Sequence, residues 1–155
     1  MSRSPESELH FILQLKKTDD MKKKLKCVLL IDDNEADNFF HKTIITQMDI
    51  AENIEVAWDG VQALEFLKKE NQIIPELIFL DINMPKVNGW EFLEAYKNLK
   101  QEQKTKIIII MLTTSLNPND EEKARKISEV KGFKNKPISK QMMTEIMEMH
   151  FADFR

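Results

Sequence analysis

Leu77-Ile78-Phe79-Leu80-Asp81-Ile82-Asn83-Met84-Pro85 runs four apolar residues straight into a carboxylate and breaks at a proline four positions on. A short run with no polar alternation suits a strand buried on both faces of a parallel sheet. Two more runs share this character, Cys27-Val28-Leu29-Leu30-Ile31 and Ile107 through Leu112. Ile54-Glu55-Val56-Ala57 and Gly132-Phe133-Lys134-Asn135 read as weaker strands. Between them, amphipathic stretches over about residues 35–48, 60–70, 88–100, 119–130 and 138–150 predict helices. Asp59-Gly60 opens the second, Pro75 separates it from the next strand, and Asn117-Pro118 starts the fourth. Five β/α pairs at this spacing predict an α/β fold, a doubly wound five-stranded parallel sheet with helices on both faces.

Working outward, 155 residues suffice for one domain with one core. The formal net charge of -3 gives no reason to expect a nucleic-acid partner. Residues 1–26 hold seven Lys/Arg against four Asp/Glu, which leaves 16 against 22 for the remainder. The expected division is an N-terminal extension over 1–25, a short helix and linker, and the domain proper over 26–155. Ser4 and Pro5 look like N-cap and first helical residue, and Leu9, Ile12 and Leu13 then share a face up to about Lys17. Thr18-Asp19-Asp20 and the lysines after Met21 read as linker, with Met21 an alternative start. No run approaches the roughly 20 apolar residues of a membrane span, and Phe11-Ile12-Leu13 is too short for a signal-peptide core. With Cys27 as the single cysteine, a cytoplasmic protein without membrane partners is expected.

In an open α/β sheet, ligands bind outside the carboxyl ends of the strands. The first strand ends in Asp32-Asp33, the third in Asp81, the fourth in Thr113-Thr114-Ser115 and the fifth at Lys136-Pro137. Three carboxylates, a hydroxyl cluster and a lysine are thereby predicted to meet on one edge. Packed carboxylates stay ionised only when a cation compensates them, and an all-oxygen set that must also admit phosphate suits Mg²⁺. Lys136 offers a point charge to a phosphoryl group, and Thr113 a hydroxyl.

These motifs resemble those of the bacterial response-regulator receiver domain. Asp32-Asp33, Asp81 through Pro85 with Gly89, Leu112-Thr113-Thr114-Ser115 and Phe133 through Pro137 follow that family's order and spacing over about residues 25–150. The resemblance implies a (βα)5 flavodoxin-like sheet of strand order 2-1-3-4-5. It implies Asp81 as phosphoacceptor, and Mg²⁺ held by Asp33, Asp81 and the backbone carbonyl of Asn83, with Asp32 holding a metal-bound water. Lys136 and Thr114 would contact the phosphate, Thr113 and Phe133 would act as the switch pair, and Pro137 would follow a cis peptide bond, which is cheap only before proline. The implied role is a stand-alone signalling switch, not an enzyme. It would be phosphorylated by a sensor histidine kinase or phosphotransfer protein and would act on an output partner through its fourth and fifth helices, as a monomer or weak homodimer.

Three other readings compete. An aspartyl-phosphate phosphatase would carry its D-x-D motif after the first strand, whereas here the acceptor follows the third and its partner position is Asn83. A flavodoxin-like cofactor binder needs a Ser/Thr/Gly-rich phosphate loop where this chain has Asp32-Asp33-Asn34-Glu35. A phosphorylation-independent pseudo-receiver would have no need of the complete residue set. Elsewhere, His10, His41 and His150 lack metal-ligand spacing, and Trp58 and Trp90 read as partly buried packing. On the last helix Met143 and Met147 are expected in the core, with Met142, Ile146 or Met149 left on the surface for a partner.

Overall fold

The computed structural model describes residues 4–11, 24–70, 72–104 and 106–152. Its strands are β1 (Leu25–Ile31), β2 (Ala51–Ala57), β3 (Leu77–Asp81), β4 (Ile108–Thr113) and β5 (Val130–Asn135). The helices after them are α1 (Glu35–Gln47), α2 (Gly60–Lys68), α3 (Gly89–Lys97), α4 (Pro118–Arg125) and α5 (Lys140–His150). All pairings are parallel, and the sheet runs β2-β1-β3-β4-β5.

Period-2 alternation splits the strands between two cores. Leu29, Ile31, Ile78, Leu80, Ile109 and Met111 face Leu67 of α2, Phe92 and Leu93 of α3 and Ala124 of α4. Val28, Leu30, Leu77, Phe79, Ile110 and Leu112 face Ile45 of α1 with Met143 and Ile146 of α5. The sheet is thus covered on both sides, and β1, β3 and β4 are near-continuously apolar because both of their faces are interior.

Helix starts follow side-chain chemistry. Asn34, Asp59, Asn88, Asn117 and Ser139 each accept a first-turn backbone N–H, and Asn88 with Glu91 completes a capping box. Residues 5–11 are helical as well, while Ile12, Leu13, Met21 and most of the linker lie outside the described residues.

Four local expectations are corrected. β2 begins at Ala51, earlier than its apolar residues indicate, because it is an edge strand whose Glu52, Asn53 and Glu55 face solvent. α4 stops at Arg125 instead of near 130: Ile127 turns into the core, and Val130 pairs with Ile109 in β5, so sheet pairing overrides helical periodicity. Ile146 is core, not surface, since α5 turns it with Met143 onto the sheet, while Met149 is 74% exposed. Trp58 is exposed just past the β2 edge, whereas Trp90 packs partly buried under the Lys123 ammonium, 4.4 Å from its ring centroid. Cys27 is buried as a small hydrophobe, and burial, then Glu55 and Glu76, push its thiol up to about 11.

Candidate functional site

β1 delivers Asp32 to the carboxyl edge, where its backbone N–H donates to the Ala57 carbonyl at 3.0 Å. Asp32 Oδ1 accepts from the Asn34 backbone at 2.9 Å, which fixes the carboxylate against the turn into α1. Asp33, one residue on, is exposed. β3 ends on Asp81, 7% exposed, and register places it beside Leu112 of β4. One carboxylate oxygen each from Asp32, Asp33 and Asp81 lie within 4.8 Å of one another. Behind Asp81 the chain folds tightly: Gly89 donates to the Ile82 carbonyl at 2.8 Å, and a Cβ on Gly89 would meet the Asp81 carbonyl oxygen at 2.6 Å. Only glycine lets α3 begin so close.

Lys136 arrives from the end of β5, its backbone N–H on the Thr113 carbonyl at 2.7 Å. Its Nζ donates to Asp32 Oδ2 at 2.6 Å and Asp37 Oδ2 at 3.0 Å, and lies 3.2 Å from Asp81 Oδ1. Burial works against the ammonium, but the hydrogen bond and charge of Asp32, then Asp37 and Asp81, outweigh it and raise its pKa. Asp81 is pushed up to about 6, first by burial, then by the Asp32 charge, with Lys136 opposing and Asp33 adding a smaller push. One ammonium therefore serves a surplus of carboxylates. That surplus, made of hard oxygen donors, fits a divalent cation placed among Asp32, Asp33 and Asp81.

The other residues singled out from sequence lie on β4, on β5 and in the loops after β3 and β4. Thr113 is buried, and its hydroxyl is engaged within its own loop, donating to the Ser115 carbonyl at 2.9 Å and accepting the Ser115 N–H at 3.2 Å. Thr114 follows it in the same loop and Asn83 lies in the loop after β3, and both are exposed. Phe133 is half-buried, beside Met111 in the register and packed on the α2–α3–α4 side of the sheet. The Lys136–Pro137 peptide bond is cis. An open concavity of about 600 Å³, lined by Asp33, Asn34, Glu35, Ala36 and Phe39, borders the carboxylates. A second cleft of about 420 Å³, lined in part by Phe66, Ile73, Ile74 and Gln103, lies at the opposite end of the strands and touches none of these residues.

A family model described as the response regulator receiver domain matches residues 28–148. The chain belongs to this receiver family. Response regulator Rcp1 of Synechocystis is 33% identical over 99 residues, 61% of this chain and 66% of Rcp1. A hybrid signal transduction histidine kinase I of Dictyostelium discoideum is 30% identical over 129 residues, 82% of this chain but 7% of the kinase. The chain thus spans less than two thirds of both relatives. Among solved structures, a two component response regulator from Cytophaga hutchinsonii aligns at TM-score 0.74 and 32% identity, covering 83% of this chain and 98% of that one. A Mn(2+)-bound form of Rcp1 aligns at TM-score 0.66 and 27% identity, covering 84% and 95%. No helix among the described residues is long and apolar enough to cross a membrane.

Three receiver residues at this site escaped sequence reasoning, all on one face of α1. Asp37 holds Lys136. Asn38, buried, donates from Nδ2 to the Asp32 carbonyl at 2.8 Å. His41, 1% exposed, accepts the Ile138 N–H on Nε2 at 3.2 Å. Asp37 and Asn38 stand four and three residues before His41, spacings that bring each of them onto the His41 face of the helix. Polar residues on a face that also carries Ile44 and Ile45 were the available signal.

Proposed function

We propose that this receiver is a phosphorylation switch that accepts a phosphoryl group on Asp81 from a phosphohistidine of a sensor kinase or phosphotransfer protein. The observation that carries the reading is the convergence of Lys136 Nζ on Asp32 and Asp81, at 2.6 and 3.2 Å, beside a carboxylate trio. An Asp81 carboxylate oxygen attacks phosphorus, the P–N bond breaks, and its electron pair leaves with the imidazole, which takes up a proton. An acyl phosphate remains on Asp81. A carboxyl with its pKa at about 6 is mostly ionised at neutral pH, as a nucleophile must be.

Mg²⁺ is the proposed ion, held by Asp33, Asp81 and the Asn83 backbone carbonyl with Asp32 supporting a bound water; when present it neutralises charge on the transferring oxygens. Lys136 pairs with a phosphoryl oxygen, and Thr114 lies in the adjoining loop. Thr113 must give up its bonds to Ser115 to reach the phosphoryl group, and Phe133 turns further inward as it does so. The output surface is proposed on α4, β5 and α5, where Met149 is exposed beside a groove lined by Gly132, Phe133 and His150. Residues 1–25 are proposed as an extension to a receiver switch that catalyses nothing beyond its own phosphorylation and slow dephosphorylation.

Acetyl phosphate with Mg²⁺ tests the reading by intact mass. Gain of one acid-stable, base-labile phosphoryl group, absent in Asp81→Asn, is the expected result. No mass gain with several donors, or a label that survives Asp81→Asn, overturns it and leaves a phosphorylation-independent interaction module.

A further inference from the structure

Asp37 is the carboxylate that the proposed chemistry leaves unused. It sits in the first turn of α1, its backbone N–H on the Asn34 cap at 2.9 Å and its Oδ2 3.0 Å from Lys136 Nζ. A lysine ammonium has three N–H donors, and here three carboxylates surround them: Asp32 at 2.6 Å, Asp37 at 3.0 Å and Asp81 at 3.2 Å. Asp32 and Asp81 also belong to the trio whose oxygens lie within 4.8 Å of one another, and Asp37 does not. The two groups therefore have different fates once the site is loaded. A cation or a phosphoryl group competes with Lys136 for Asp32 and Asp81, whereas Asp37 lies outside that trio and keeps its hold on the ammonium until Lys136 itself moves.

We propose that Asp37 is a positioning residue, a dedicated counter-ion that holds Lys136 on the α1 side of the site and limits how much of its charge reaches a phosphoryl group on Asp81. The proposal rests on the phosphoacceptor reading above and adds to it a residue that sets the speed of the switch. Its side chain is 33% exposed, against 5% for Asp32, so Asp37 is the weaker and more easily exchanged of the two anchors. Release of Lys136 from Asp37 is then the step that delivers the ammonium to the phosphoryl oxygen.

The test is a double-mutant cycle on the full chain with Asp37→Asn and Lys136→Ala, read by two measurements. With acetyl phosphate at saturating Mg²⁺, Asp37→Asn is expected to raise the phosphorylation rate constant roughly fivefold, the scale of one partly exposed ion pair. In the Lys136→Ala background the same substitution is expected to change the rate by less than about twofold, because a residue that acts through Lys136 has nothing left to act on. Asp37→Glu is expected to restore the slow rate. The second measurement is the Lys136 side-chain ammonium resonance, protected from solvent exchange in the wild type by its three acceptors and lost to exchange in Asp37→Asn. No change in rate, or an equal change in both backgrounds, overturns the proposal. If the wild type takes up no phosphoryl group at all, the phosphoacceptor reading fails, and the ammonium resonance still decides whether Asp37 holds Lys136.

Discussion

His41 Nε2 accepts the backbone N–H of Ile138 at 3.2 Å, joining the middle of α1 to the turn that follows Lys136. The bond requires an unprotonated Nε2. Burial lowers the imidazole's pKa below its ordinary 6.5, the charges of Asp37 and Asp32 oppose this, and Lys136 adds a smaller lowering. As pH falls below 6.5 the unfolded chain takes up a proton that the folded chain resists, so this contribution to stability is present above 6.5 and is lost on acidification. His41→Gln is expected to flatten the fall in unfolding free energy between pH 7 and 5. Urea denaturation in the Asp81→Asn background, which removes an opposing slope, checks this.

That opposing slope belongs to Asp81. Its folded value of about 6 lies above the unfolded 3.8, so the folded state binds the proton more tightly, and stability declines as pH rises from 3.8 through 6. The shift corresponds to about 3 kcal/mol against the ionised, metal-free form. With chelator present, Asp81→Asn is expected to stabilise the fold at pH 7.5 and to have little effect at pH 3.5. A destabilised variant at pH 7.5 would show that Lys136 outweighs burial and Asp32 together.

Asp33 and Asp32 should separate metal binding from folding. Asp33 is exposed, so Asp33→Asn is expected to change metal-free stability by less than about 0.5 kcal/mol while weakening Mg²⁺ binding at least tenfold. Asp32→Asn also loosens Lys136 and is expected to destabilise by about 1–3 kcal/mol. Calorimetric Mg²⁺ titration beside urea unfolding gives both numbers.

Gly89→Ala places a methyl 2.6 Å from the Asp81 carbonyl oxygen and 3.0 Å from Ile82 Cα, both backbone atoms that cannot rotate away. The expected cost is about 1–3 kcal/mol. Because the displaced backbone carries Asp81, phosphorylation by acetyl phosphate is expected to slow as well, even where the fold persists.

The parts of this structure that could be read from sequence are those whose cause is local. β1, β3 and β4 declare themselves because burial on both faces demands unbroken apolar runs, and Asp32 and Asp81 stand out because each ends such a run, while Lys136 stands out by its place before Pro137 at the end of the weaker β5. β2 was read short because its edge position lets Glu52 and Glu55 face water, which erases the signal at its start. Asp37 and His41 stayed hidden for a different reason. Each meets a partner close to a hundred positions away, so the face they share with Ile44 and Ile45 marks them as polar groups turned inward without saying what they bind. Ile146 was misplaced because an arc of five apolar residues on α5 leaves its rotation undetermined until the helix is packed.

Lys136 follows Asp32 by 104 residues, and that separation has a consequence during synthesis. A ribosome that has released β1 and β3 has already exposed both carboxylates, while the cation that compensates them is still untranslated. Until β5 emerges, a partly assembled sheet would have to bury Asp32 and Asp81 against each other with nothing between them. Before Lys136 is made, burying Asp32 and Asp81 together costs more than it does in the finished sheet, so the ends of β1 and β3 owe part of their stability to a residue that follows both.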